Sequence, residues 1–230
     1  MKKRIISFAF AVLFSFAFII NVSADASNGV YYSCRPCDGE LKIALTFDDG
    51  PHPRKTLQIL DILAEYKIRA TFFLIGENVE YYPEAAKRII SEGHEIGNHT
   101  YSHPHNMNKT DKNEIFREME ACEKSIYKVL GCKTTLFRPP EGVVDEYIRT
   151  AALSRGYNVI LWSIDTRDWA GASVDTIISG IVKNISPGDI ILMHDYTGKH
   201  AHTIEALRIM IPKLLEMGYS FVSVSDLINK

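Results

Sequence analysis

Apolar residues along this chain alternate between two rhythms, one of strand type and one of helix type. Ile43, Leu45 and Phe47 alternate with smaller residues, the pattern of a short buried strand. The pattern stops at two adjacent carboxylates, Asp48 and Asp49, and the turn pair Gly50-Pro51. Leu57, Leu60, Leu63 and Ala64 then recur at helical spacing as far as Tyr66. The apolar run 70–75, closed by Gly76, predicts a second strand. Residues 83–92 predict a helix with proline in its first turn and Gly93 just past its end. A short strand up to Asn98 follows. Asp111, with Glu114 three residues on, is placed to cap a long helix whose buried stripe is Ile115, Met119, Cys122, Ile126 and Leu130. Leu136-Phe137 reads as a brief strand entering Arg138, 145–156 as a helix and 159–164 as a strand. Ser173 caps a helix through Val182, and 190–193 is a further strand. A helix over 203–217, bent at Pro212, and a last strand over 219–224 complete the pattern.

About seven strand–helix units result. Their strands are apolar on both faces, as in parallel strands covered by helices. The fold expected is α/β, a distorted (β/α) barrel of TIM-barrel type shortened from eight units, with an open doubly wound sheet as the runner-up. No glycine-rich fingerprint follows the first strand, which weakens the nucleotide-binding version of the open sheet. One domain over 41–230 is expected, preceded by a lead-in over 25–40.

The basic start Met1-Lys2-Lys3-Arg4, the apolar run 5–20 and the small residues Val22-Ser23-Ala24 predict a signal peptide over 1–24. They imply a secreted or cell-wall-associated protein. An uncleaved anchor is the alternative, because the run approaches the ~18 residues of a spanning helix. The formal net charge of −2 offers nothing to attract nucleic acid, and nothing calls for a protein partner or a membrane contact beyond the signal. Four cysteines in an exported chain suggest two disulfides, with 34–37 and 122–132 as the preferred pairing and a four-cysteine zinc site as the alternative.

Ionisable residues gather where the strands end: Asp48 and Asp49, His99, Arg138, Asp165 and Asp168, and His194. In (β/α) barrels chemistry is done at that rim. His99 and His103 are four apart, so a helical turn would face both imidazoles one way. With one carboxylate they make an open zinc shell. His94, His105, His200 and His202 read instead as structural or loop residues.

Read together, these stretches resemble the polysaccharide deacetylases, the domain type shared with nodulation-factor deacetylases and called carbohydrate esterase family 4. Thr46-Phe47-Asp48-Asp49-Gly50-Pro51 is similar to that family's first motif, and His99 with His103 to its second. Phe137-Arg138-Pro139-Pro140-Glu141-Gly142 is similar to the third, Asp168-Trp169 to the fourth and Ile191-Leu192-Met193-His194-Asp195 to the fifth. The resemblance implies that Asp48 is the catalytic base, oriented by Arg138, and that Asp49, His99 and His103 hold a divalent metal. Zinc is the expected ion, with cobalt, manganese or nickel as alternatives. It also implies that a backbone N–H after the prolines stabilises the oxyanion. His194, supported by Asp168, is then the general acid, and Leu192 and Trp169 wall the acetyl pocket. Glu141 departs from the aromatic residue common in the family and places an acid where the sugar lies. The expected function is removal of N-acetyl groups from amino sugars of a polysaccharide, with peptidoglycan N-acetylglucosamine first and chitin oligomers next. An O-deacetylase of acetylated xylan and a catalytically silent carbohydrate-binding module are the competing readings.

Overall fold

The computed structural model describes residues 28–36, 39–196, 198 and 201–229. The expected signal peptide and Cys37 lie outside the described residues. The strands are β1 (Val30–Tyr31), β2 (Lys42–Asp48), β3 (Thr71–Leu74), β4 (Glu95–Asn98), β5 (Leu136–Phe137), β6 (Asn158–Ile160), β7 (Ile164–Asp165), β8 (Ile190–His194) and β9 (Ser220–Val222). The helices are α1 (Lys55–Tyr66), α2 (Gly76–Tyr81), α3 (Pro83–Ser91), α4 (Lys112–Leu130), α5 (Glu146–Ser154), α6 (Val174–Asn184), α7 (Thr203–Glu216) and α8 (Val224–Ile228).

The strand order is β1-β6-β5-β4-β3-β2-β8-β7, with β9 on the start of β2, and all these pairings are parallel. β6 and β7 are consecutive in the chain yet pair at opposite ends of the order. The stretch 158–165 therefore joins β5 to β8 and curls the sheet into the distorted barrel expected. The single strand expected over 159–164 is broken by a residue from another part of the chain. The carbonyls of Ile160 and Leu161 accept from the Arg138 side chain instead of joining a ladder.

Two cores follow from the period-2 alternation of β2. Ile43, Leu45 and Phe47 pack outward with α1, α6 and α7 side chains, while Ala44 and Phe73 pack inward with Leu136, Ile160 and Ile190. Val224, Leu227 and Ile228 of α8 join the inner cluster. There the Val224 N–H donates to Thr71 Oγ1 and the Ser225 N–H to Glu95 Oε2, at the starts of β3 and β4. This helix, of which only Val224 falls in the strand expected over 219–224, closes the barrel at the mouth opposite the ionisable rim.

Helix caps match the pattern. Asp111 accepts from the Asn113 N–H, Asp145 from Ile148 and Ser173 from Thr176. α2 was not expected, and α7 runs through Pro212 as one helix. The 122–132 disulfide does not form: Cys122 and Cys132 are both free. Beyond Cys122, α4 carries the chain about 12 Å along its axis at ~1.5 Å per residue. A disulfide spans only ~4.4–6.8 Å between Cα atoms. Cys122 instead donates to the Leu74 carbonyl, and burial pushes its thiol up to about 12.

Candidate active site

Asp48 is the last residue of β2 and faces inward, like Thr46 and Ala44 two and four positions before it. Asp49 leaves the strand with φ 73°, which swings the second carboxylate to the same side. Asn78 Nδ2 donates to its carbonyl at 2.7 Å and holds that turn. The next peptide, Gly50-Pro51, is cis.

Arg138 is fully buried at the end of β5, with its guanidinium 4.0 Å from the centre of the Phe73 ring. Nε and Nη2 donate to the Ile160 and Leu161 carbonyls, and Nη1 donates to Thr46 Oγ1 and to Asp48 Oδ1, the last at 2.6 Å. A planar fork bound at four points cannot swing, so it fixes one carboxylate oxygen of Asp48 and leaves Oδ2 toward the cleft. Oδ2 lies 3.8 Å from His99 Nε2.

His99 and His103 converge, but not by the helical turn that their spacing suggested. Thr100 and His103 have positive φ, 68° and 55°, and the segment is a loop. His99 Nδ1 donates to the Arg138 carbonyl at 2.7 Å, which directs the Nε2 lone pair outward. Asp49 Oδ1 is 3.4 Å from His99 Nε2 and 3.3 Å from His103 Nε2, and the three ligand atoms lie within 4.8 Å of one another. Two ligand atoms of one tetrahedral zinc, each bonded at ~2.0–2.1 Å, sit roughly 3.3 Å apart. The donor set therefore fits a divalent metal. Burial works against ionisation of both His99 and Asp49. For His99 it is outweighed by Asp48 and Asp49, which raise it. For Asp49 it is outweighed by the hydrogen bond and charge of His99 and the charges of His194 and His103, which lower it.

Across the cleft, His194 ends β8. Its Nδ1 bonds Asp168 Oδ1 at 2.8 Å, and its backbone N–H donates to Oδ2. Thr203 Oγ1 also donates to Oδ2 and the Trp169 N–H to Oδ1, so the Asp168 carboxylate is fully engaged. Burial alone would lower His194, but the bond to and charge of Asp168, with Asp48 and Asp49, raise it to about 9. It is thus protonated at neutral pH.

Asp48, Asp49, His99, His103 and His194 line one cleft of about 560 Å³, together with His105, Glu141, Trp162, Asp165, Trp169 and Leu192. Every residue assigned a role from sequence is in this site: Arg138 and Asp168 lie beneath the cleft floor and the rest line it. Glu141 has φ 59° inside the turn 140–142, where the Gly142 and Val143 amides bond the Pro139 and Pro140 carbonyls. The Glu141 N–H, which the resemblance makes the oxyanion donor, belongs to this turn. Sequence reasoning missed three participants. His105, set aside as a loop residue, bonds Glu141 Oε1 at 2.9 Å and packs its ring on His103. Trp162 lies 5.6 Å from the Arg138 guanidinium, and Thr203 orients Asp168. None belongs to a recognisable motif.

A family profile described as polysaccharide deacetylase matches residues 35–160. A peptidoglycan-N-acetylglucosamine deacetylase of Bacillus cereus is 42% identical over 197 residues, covering 84% of this chain and 90% of that protein. This chain belongs to the polysaccharide deacetylase family. The crystal structure of a family member, a peptidoglycan N-acetylglucosamine deacetylase, matches with TM-score 0.82 at 38% identity, over 87% of this chain and 92% of the other. A family member from Bacillus anthracis described as a pseudoenzyme matches with TM-score 0.80 at 32% identity, over 89% of this chain and 70% of the other. The deacetylase fold alone thus does not certify the chemistry, and the residues in the cleft must.

Proposed function

We propose that this polysaccharide deacetylase is an exported, divalent-metal-dependent enzyme that hydrolyses the N-acetyl group of peptidoglycan N-acetylglucosamine. The observation that carries the chemistry is the cleft itself. It sets an Arg-fixed carboxylate, a three-ligand donor set and a protonated His–Asp pair around one cavity. The peptidoglycan substrate is favoured by the relatives named above, and export by the charged, apolar and small-residue succession at the N-terminus.

A divalent cation on Asp49, His99 and His103 would supply positive charge that polarises the acetyl carbonyl and acidifies water. Asp48 accepts the proton of the attacking water at Oδ2, since Oδ1 is occupied by Arg138. The Glu141 amide donates to the developing oxyanion. Leu192, buried in the cleft lining, and Trp169, half exposed at its edge, enclose the methyl group. His194 delivers a proton to the departing nitrogen, and Asp168 holds its ring by Nδ1 so that Nε2 carries that proton.

Acetate release from peptidoglycan, N-acetylglucosamine oligomers and acetylated xylan, compared side by side, tests the reading. Peptidoglycan is expected to be the best substrate, with loss of activity on chelation and recovery with zinc. Preference for the xylan ester would move the assignment to an O-deacetylase. No acetate from any of the three would leave a binding module, and full activity in metal-stripped protein would remove the metal.

A further inference from the structure

The loop that carries the two histidines is held by a residue that lies outside the cleft. Glu118, on α4, is buried. Its Oε2 accepts from the backbone N–H groups of Tyr101 at 2.9 Å and Ser102 at 2.8 Å, and its Oε1 accepts from Ser102 Oγ at 2.8 Å. Removing a carboxylate from water is costly unless hydrogen bonds replace its hydration. No cation pairs with Glu118 among the described residues, so these three bonds are its compensation.

Both amides belong to the peptide between His99 and His103. On the loop's other side, the carbonyls of Thr100 and Tyr101 accept from the Gly76 and Glu77 amides, the first of α2, each at 3.0 Å. A Cβ on Gly76 would stand 2.7 Å from Tyr101 Cδ2, so α2 and the loop are already in contact. Internal bonds complete the arrangement: the Thr100 N–H donates to Asn98 Oδ1 and the His103 N–H to Thr100 Oγ1. The loop is clamped from both sides. Only the α4 side uses a single side chain that could have been something else.

We infer that Glu118 is a positioning residue for the metal site: it fixes the Tyr101–Ser102 peptide so that the Nε2 atoms of His99 and His103 both face Asp49. This rests on the metal reading above. It explains why two left-handed residues in five can be held without a helix: the amides they turn aside find an acceptor on a neighbouring element.

The test is zinc affinity by competition with a chromophoric chelator, together with the visible spectrum of the cobalt-substituted protein and the melting temperature. Glu118→Asp keeps the charge but is one methylene too short to reach both amides. Zinc affinity should fall by about 10–100-fold, the usual cost of losing a group that orients ligands, and the cobalt spectrum should change. Glu118→Gln retains a carbonyl oxygen for the two amides and should stay close to native in both. Ile126→Val, in the core face of the same helix, should lower the melting temperature without changing zinc affinity. Native affinity and spectrum in Glu118→Asp would overturn the inference alone. So would equal loss in Glu118→Gln, which would mean that charge rather than placement matters, or loss in Ile126→Val. Absence of zinc binding by the native protein would overturn the metal reading as well.

Discussion

Asp48 and Asp49 are chemically identical and adjacent, yet their surroundings divide their roles. Asp48 has one oxygen committed to Arg138 at 2.6 Å, whereas Asp49 has one oxygen 3.3–3.4 Å from two imidazoles. The division rests on one torsion, the positive φ of Asp49, which an aspartate tolerates better than most residues. Asp48→Asn keeps size and hydrogen bonding but removes the base. Metal content should stay native while the deacetylation rate falls ~10²–10⁴-fold. Asp49→Asn should lose metal first and regain part of its activity in excess metal. Metal analysis beside the rate assay checks both, and identical behaviour of the two variants would refute the division. Glu141, expected as a substrate contact, is tied to His105 and the Asn106 amide, which hold it below the usual carboxylate range.

At the level of elements, the junction of β2 with β8 carries a cost not visible in either alone. The residue after His194, Asp195, donates its N–H to the Asp48 carbonyl and is fully buried. Its Oδ2 accepts from Thr56 Oγ1 of α1 at 2.5 Å, while Oδ1 has no partner among the described residues. Gly50 is required opposite it, since a Cβ there would lie 2.2 Å from Oδ2. Burial raises Asp195 to about 7; the Thr56 bond opposes this, and the charges of Asp49 and Asp48 add to it. The sign follows. Below pH 3.8 the carboxyl is protonated in both folded and unfolded chains. Between 3.8 and about 7 only the unfolded chain is ionised, so stability falls as pH rises. The loss at this site is on the order of 4 kcal/mol, at ~1.4 kcal/mol per pKa unit. Asp195→Asn should abolish that loss. Its unfolding free energy relative to native should therefore climb from pH 4 to 7 and then level off, as read from urea titrations across the window. A constant difference would show that Asp195 does not titrate there.

For the whole molecule, the barrel separates its two ends. The strand C-termini carry the cleft, and α8 seals the opposite mouth with Val224, Leu227 and Ile228. Leu227→Ala should therefore cost about 2–5 kcal/mol of stability, the range for emptying a buried leucine site. It should leave zinc affinity and the pH dependence of the rate unchanged. A matching loss of metal affinity would show that the two ends are coupled.

The sequence determined the order and type of most elements, because hydrophobic period and capping residues act locally: Asp111 and Ser173 cap the helices they were expected to cap. It also named residues that meet at one cleft, because several of them stand at or just past strand ends and ordered motifs survive in linear text. Other features depend on what the chain meets across the barrel. The break between β6 and β7 is made by Arg138, a residue 22 positions away from Ile160, withdrawing two carbonyls. The approach of His99 to His103 is made by a loop clamped between α2 and Glu118, not by their spacing of four. Cys122 and Cys132 are near in sequence, but a rigid helix holds them apart. Local rules fix which atoms are available, whereas tertiary packing decides which of them can reach one another.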